Sequence, residues 1–280
     1  MIDPVRGVRT AARAAGYLRG RANEGNQRSR PWLVGLLAAV LAACSTAAAP
    51  VSNPAVPARG EAVKKLDAGR VESLPTGSVY VRFVRFAQAP GYVINSKQHV
   101  PSLVYVETGV HRLILAGQPP IDLAAGEAKF HQSLTHQHLN PGSDQSVWYS
   151  IAVWPSSARG QPLVDPIARA AFESDDIDRA VLPQMPYSEV LRQVTLARLG
   201  TTGAHRFGGL SAFYVLRGSL RIESAHRPPV TLAVGQGAAF LPDVDLRETN
   251  AGADPAVFLE FLTTPVGKDF ELPLGRPPTA

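Results

Sequence analysis

The chain has 280 residues, is 45% hydrophobic, and carries one cysteine, enough for one large domain or two small ones. Its formal charge of +5 resides in the first 43 residues, where seven arginines face only Asp3 and Glu24, while the remainder balances at twenty-one charges of each sign. The basicity of the leader supplies no argument for nucleic-acid binding, which needs a basic face on the folded body, and one cysteine excludes an intramolecular disulfide.

Behind the arginines, residues 32–43 form a run of about twelve apolar positions, too short for a membrane span of roughly 20 but suited to the h-region of an export signal. The run ends at Leu41-Ala42-Ala43-Cys44, which resembles the lipobox of bacterial lipoproteins. That resemblance implies that residues 1–44 are a signal peptide, that Cys44 is lipidated and holds the chain to a membrane, and that Ser45 directs it to the outer membrane, facing the periplasm. Residues 45–77, rich in Ala, Pro, Ser and Val without an apolar period, are expected to be a flexible tether.

Beyond the tether, residues 105–147 return as residues 214–257. Tyr105 pairs with Tyr214, Gly109 with Gly218, Pro119-Pro120 with Pro228-Pro229 and Gly126 with Gly235; after one inserted residue Phe130 pairs with Phe240, Asn140 with Asn250 and Asp144 with Asp254. Glycine, proline and apolar residues at fixed offsets describe a repeated backbone shape. Apolar residues alternate through Leu220, Ile222 and Ser224 and through Val230, Leu232 and Val234, the period of half-buried strands. Each proline pair is expected to mark a hairpin turn. Further strands are expected at residues 79–87, 147–154, 190–199 and 256–263, and a helix at 163–180. The fold class is therefore all-β, with two barrels at 78–156 and 187–280 joined by a short helical connector at 157–186.

Tyr214-Val-Leu-Arg-Gly218, then Gly235, Phe240-Leu-Pro242 and Asn250, resembles the cupin pattern. The first half is similar through Tyr105 to Gly109, Gly126, His136 and Asn140, so the whole resembles a bicupin. Metal-binding cupins carry two histidines and a glutamate in a first motif and one histidine in a second. In the second half those positions fall on His205, Phe207, Ser211 and Leu246, which leaves one ligand of four, and His205 is read as a hydrogen-bonded barrel histidine. In the first half they fall on Ser96, Gln98, Ser102 and His136. With the glutamate missing twice, the leading expectation is a metal-free small-molecule-binding, structural or sensory module with no cofactor. The competing expectation is a cupin enzyme, an oxygenase, isomerase or hydrolase, with Fe, Mn or Zn held by His99, His136 and His138. His111, His131 and His226 are expected to be solvated, as is His138 if no metal binds. Pairing of the two halves or of two chains, as in a homodimer, is a further possibility. Ser102 and Ser211 lie in no nucleophile elbow, and no phosphate loop or dinucleotide fingerprint occurs.

Overall fold

The computed structural model describes residues 55, 57–96 and 99–279, so the export signal and Cys44 lie outside the described residues. The first half runs through β1 (Arg59–Val71), β2 (Val79–Gln88), β3 (Val93–Ser96), β4 (Ser102–Thr108), β5 (Val110–Leu115), β6 (Ile121–Ala124), β7 (Ala128–His131), β8 (His136–Leu139), β9 (Ser146–Pro155) and β10 (Ala168–Glu173). The second comprises β11 (Tyr187–Thr201), β12 (His205–Phe207), β13 (Leu210–Arg217), β14 (Ser219–Ser224), β15 (Arg227–Ala233), β16 (Gly237–Phe240), β17 (Asp245–Asn250), β18 (Ala256–Pro265) and β19 (Glu271–Pro273). Among the described residues the only helical pieces are two 3-10 turns, and no helix is long and apolar enough to cross a membrane.

In the first half a sheet ordered β10-β2-β9-β4-β7 faces a second ordered β3-β8-β5-β6. Val84, Phe86, Ile94, Val104, Val106, Leu123 and Trp148 fill part of the space between them. The second half curls one continuous path, β15-β14-β17-β11-β18-β13-β16, around Val194, Phe207, Phe213, Leu220, Phe240, Leu246 and Phe258. The architecture is two tandem cupin-like β-barrels. Between them Phe83, Leu103, Tyr105 and Tyr149 pack on Leu210, Ala212, Tyr214, Leu259 and Phe261. Central strands such as β2 are thus buried on both faces and read as continuous apolar runs.

The repeat holds at the level of single atoms. Asn140 Nδ2 donates to Asp144 O and Asn250 Nδ2 to Asp254 O, both at 2.8 Å, while each side-chain oxygen accepts from the glycine two residues on at 2.9 Å. Gly109 and Gly218 both sit at φ +76°; a Cβ would stand 2.9 Å from Gln145 O in one and 2.7 Å from Pro255 O in the other. Replacing either by Val is therefore expected to cost on the order of 1 to 3 kcal/mol. The two single variants should show closely similar losses of melting temperature, and neutrality at both would contradict the shared constraint.

Three expectations change. Residues 59–71 of the supposed tether form β1, which pairs along β11 of the second barrel from Arg59↔Thr201 to Val71↔Tyr187. β1 also packs on the first barrel, where Gly69 lies beneath Phe130 so closely that a Cβ would fall 2.0 Å from the ring. Part of the supposed helix at 163–180 is instead β10, paired with β2, because an open strand edge offers the backbone partners that a local Ala-rich preference cannot outweigh. Finally, Pro119-Pro120 does lie in a turn, but Pro228-Pro229 lies within β15. That strand ends its sheet, and the pairing with β14 is irregular between Ile222 and Ser224, so no ladder hydrogen bond is asked of the prolines.

Candidate metal centre

β8 reads His-Gln-His-Leu with alternating burial, so His136 and His138 both point into the first barrel. β7 pairs with β4 so that Ser102 opposes His131, and His131 turns inward at the strand end. His99 lies in the segment between β3 and β4. His99, His131 and His136 each present a ring nitrogen within 4.8 Å of the others. Their rings pack edge to face or tilted, at 4.9 Å for His99 and His136 and 4.5 Å for His131 and His136.

The second nitrogen of each ring is fixed by the backbone. Nδ1 lies 2.6 Å from Val100 O in His99, 3.0 Å from Gln132 O in His131 and 2.7 Å from Leu134 O in His136. A carbonyl only accepts, so each Nδ1 carries the proton and each Nε2 presents a lone pair. His136 Nε2 is buried without a partner, while His131 Nε2 lies 2.9 Å from Ser102 Oγ. Burial drives the pKa of all three down, to about 3 for His131, where a charge on His136 would add to the penalty. The set is neutral near pH 7, the state a metal ligand requires.

His138, expected in the same set, makes a different contact. Its Nδ1 lies 3.0 Å from His111 Nε2, and both rings pack on Trp148 at 4.4 Å. His111, His131 and His138 are buried at 0%, 3% and 4% exposure, against the expectation of solvated rings; alternate residues of β5 face the core, and His111 is one of them. His226, at a turn, is exposed as expected. Trp148 itself stacks on Phe86 at 3.9 Å and donates from Nε1 to Gln88 Oε1 at 2.8 Å. Gln88 in turn donates to Tyr92 O and His138 O, locking the wall of the site.

His131 was hidden by the placement of the inserted residue. Pairing Phe130 with Phe240 puts the insertion before β7, but the strand registers are Ser102↔His131 and Ser211↔Phe240. The insertion therefore follows β7, and His131 occupies the place of Phe240. Counting the hairpin from Tyr105↔Ala128 would have shown it.

The corresponding place in the second barrel is closed. Phe240 and Leu246 stand where His131 and His136 stand in the first, and both belong to its apolar core. His205 is buried there, with Nδ1 2.9 Å from Gly203 O and Nε2 3.6 Å from Glu248 Oε2. Burial opposes its charge, but Glu248 and Glu271 outweigh burial and raise its pKa. No other histidine joins it.

Within the first barrel a cavity of about 240 Å³ is lined by Arg82, Val84, Phe86, His99, His138, Trp148 and Trp154, among others. Of the three converging imidazoles, His99 borders this small, mostly apolar chamber inside the cupin-like barrel, and His138 lines it as well. No family model and no curated protein matches the sequence. Solved structures do match the fold. An oxalate decarboxylase from Lactobacillus farciminis, in a formate complex, superposes with a TM-score of 0.51 at 10% identity over 76% of this chain and 88% of that one. A deletion variant of the Bacillus subtilis oxalate decarboxylase gives 0.53 at 10% identity over 80% and 82%. A study of the Mn(II) centres in the Bacillus subtilis enzyme gives 0.50 at 11% identity over 80% and 82%. The expectation of a chain with no cofactor loses support, since the histidine geometry favours the metal alternative.

Proposed function

We propose that the first barrel holds a divalent transition metal on His99, His131 and His136, and that the chain is a metal-dependent protein acting on a small molecule admitted to the barrel cavity. The observation that carries this reading is the convergence of three imidazoles whose Nδ1 protons are all committed to backbone carbonyls. The His136 lone pair is buried without a partner, a cost that a cation would remove, and the Ser102 hydroxyl that donates to His131 Nε2 would turn aside to free that nitrogen. The fold can carry such an ion, as the Mn(II) centres of the Bacillus subtilis oxalate decarboxylase illustrate. A neutral three-nitrogen set suits Zn, Mn or Fe and leaves the ion's full charge to polarise an oxygen ligand. The chain's own part is to hold the tautomers and to exclude water with Trp148 and Phe86. The second barrel serves as a packing partner.

Elemental analysis of the purified body, residues 45–280, tests this directly. Near one equivalent of Zn, Mn or Fe is expected, and free metal at a hundredfold excess over Kd should raise stability by about 2.7 kcal/mol. His131→Ala and His136→Ala should each remove the metal, whereas His205→Ala should not. Absence of metal after reconstitution, or retention of it in His136→Ala, would return the chain to a metal-free role.

We also infer a lipoprotein anchor at Cys44, supported by the apolar run ending in Leu41-Ala42-Ala43-Cys44. Two acyl chains on one cysteine give a stable attachment where a single chain is marginal. Cys44→Ser should release the protein from the membrane fraction, and a wild-type chain that takes up no labelled fatty acid would refute the anchor.

A further inference from the structure

We infer that the cavity of the first barrel is a recognition site for a small monocarboxylate with an apolar, aromatic or branched body. The inference deepens the function proposed above but rests on groups that the metal does not use. The lining holds Arg82, Trp154 and His138 as nitrogen donors, Ser96, Ser150 and Gln161 as groups that both donate and accept, and no carboxylate. Arg82, buried at 6% exposure, borders the cavity; its Nε lies 3.0 Å from Glu173 Oε1 and its guanidinium lies 5.7 Å from the Trp154 ring. A guanidinium has five N–H donors in a rigid fork, more than a single carboxylate takes up. Trp154 Nε1, a donor only, is buried and has no partner.

His138 adds a third donor through its pairing with His111. The other nitrogen of His111, Nδ1, is buried without a partner. An unpaired buried N–H wastes a proton that the neighbouring nitrogen can donate, so the proton of His111 belongs on Nε2, pointing at His138 Nδ1. His138 must then carry its own proton on Nε2, and the ring that lines the cavity becomes a fixed N–H donor. The same assignment explains why His138 does not join the other three imidazoles, since a protonated Nε2 cannot ligate.

No carboxylate is among the lining residues. A cationic side chain and two N–H donors therefore face whatever enters, and an acceptor-rich, negatively charged group satisfies them. Val84, Phe86, Trp148 and Leu163 complete the wall and suit an apolar body. The cavity of about 240 Å³ has room for roughly eight waters' share of liquid, hence for about ten non-hydrogen atoms.

The test is calorimetric titration of the metal-stripped and the metal-loaded protein with benzoate, and with benzamide and benzyl alcohol as neutral relatives of the same size. In both forms benzoate is expected to bind at least tenfold more tightly than either neutral probe. Arg82→Gln should abolish that preference and Arg82→Lys should keep part of it, so a charge effect is separated from a misfolded barrel. Equal binding of all three probes, no binding of benzoate, or benzoate binding unchanged in a folded Arg82→Gln would each overturn the assignment. Preference confined to the metal-loaded form would also overturn it, since the carboxylate would then be held by the ion. A protein that takes up no metal but still prefers benzoate would refute the proposed metal centre alone.

Discussion

Acidification is expected to unfold the metal-stripped protein, gently down to about pH 4.5 and steeply below it. Burial, reinforced by a charge on His131, holds His111 neutral to about pH 3; burial and His136 do the same for His131, and His138 is pushed down as well by its complete burial. In the unfolded chain all three protonate below the ordinary value of 6.5. Their contribution is present above that value and is lost as the pH falls, because the unfolded state then binds more protons. Glu189 and Glu260 act in the opposite sense. Burial raises them to about 8 and about 7 from 4.5, so they favour the folded state at low pH and offset the histidines between 4.5 and 7. Below 4.5 both are protonated in either state and no longer offset the histidines, while Asp122 and Asp176, lowered by their arginine partners, add to the loss. The protons of His111, His131 and His138 by themselves correspond to about 4 kcal/mol per pH unit, against a total stability of roughly 5 to 15 kcal/mol for an ordinary domain, and the lowered His99 and His136 act in the same direction. Tryptophan fluorescence followed against pH measures the transition. A profile no steeper at pH 4 than at pH 6, or one unaltered in a His111→Gln/His138→Gln variant, would disprove the account.

Trp148→Ala should be the most destabilising single truncation in the first barrel, by about 3 to 5 kcal/mol. Trp148 is fully buried and touches Phe86, His111 and His138 at once, so its removal opens a void that no neighbouring ring can fill. It also leaves Gln88 Oε1 without its indole donor, which adds the cost of a buried unpaired acceptor. Trp148→Phe should cost clearly less, because the stacking plane survives and only the hydrogen bond is lost. Denaturant midpoints of the two variants give the comparison; equal midpoints would mean that the packing described for Trp148 is not what holds the wall.

The barrels were legible in the sequence because their constraints are local. Gly109, Gly218, Asn140 and Asn250 each satisfy a demand of the backbone within a few residues, and such demands repeat with the repeat. β1 was not legible, because Arg59–Val71 is a largely polar strand whose conformation is fixed by pairing with β11, far away in sequence. β10 escaped for the same reason. The candidate site was half legible. His136 follows from its spacing to Asn140, and His99 needed only to lie close to an expected position. His131 required the β4–β7 register, and the attractive match of Phe130 with Phe240 concealed it by one residue. His138 shares a strand face with His136, yet its ring pairs with His111 on the neighbouring strand β5 rather than converging with the other three.

The pairing of β1 with β11 sets an order for biosynthesis. β1 leaves the ribosome before any of the first barrel, but the edge it completes belongs to a strand synthesised only after that barrel and the connector are finished. Until then these thirteen residues have no strand to pair with. Closure of so long a loop is slow, and an unsatisfied strand is prone to pair with other chains in the meantime. Lys64 and Lys65 on β1 offer the protection that charge gives to a waiting edge, so the same residues that disguise β1 as a linker keep the nascent chain from aggregating.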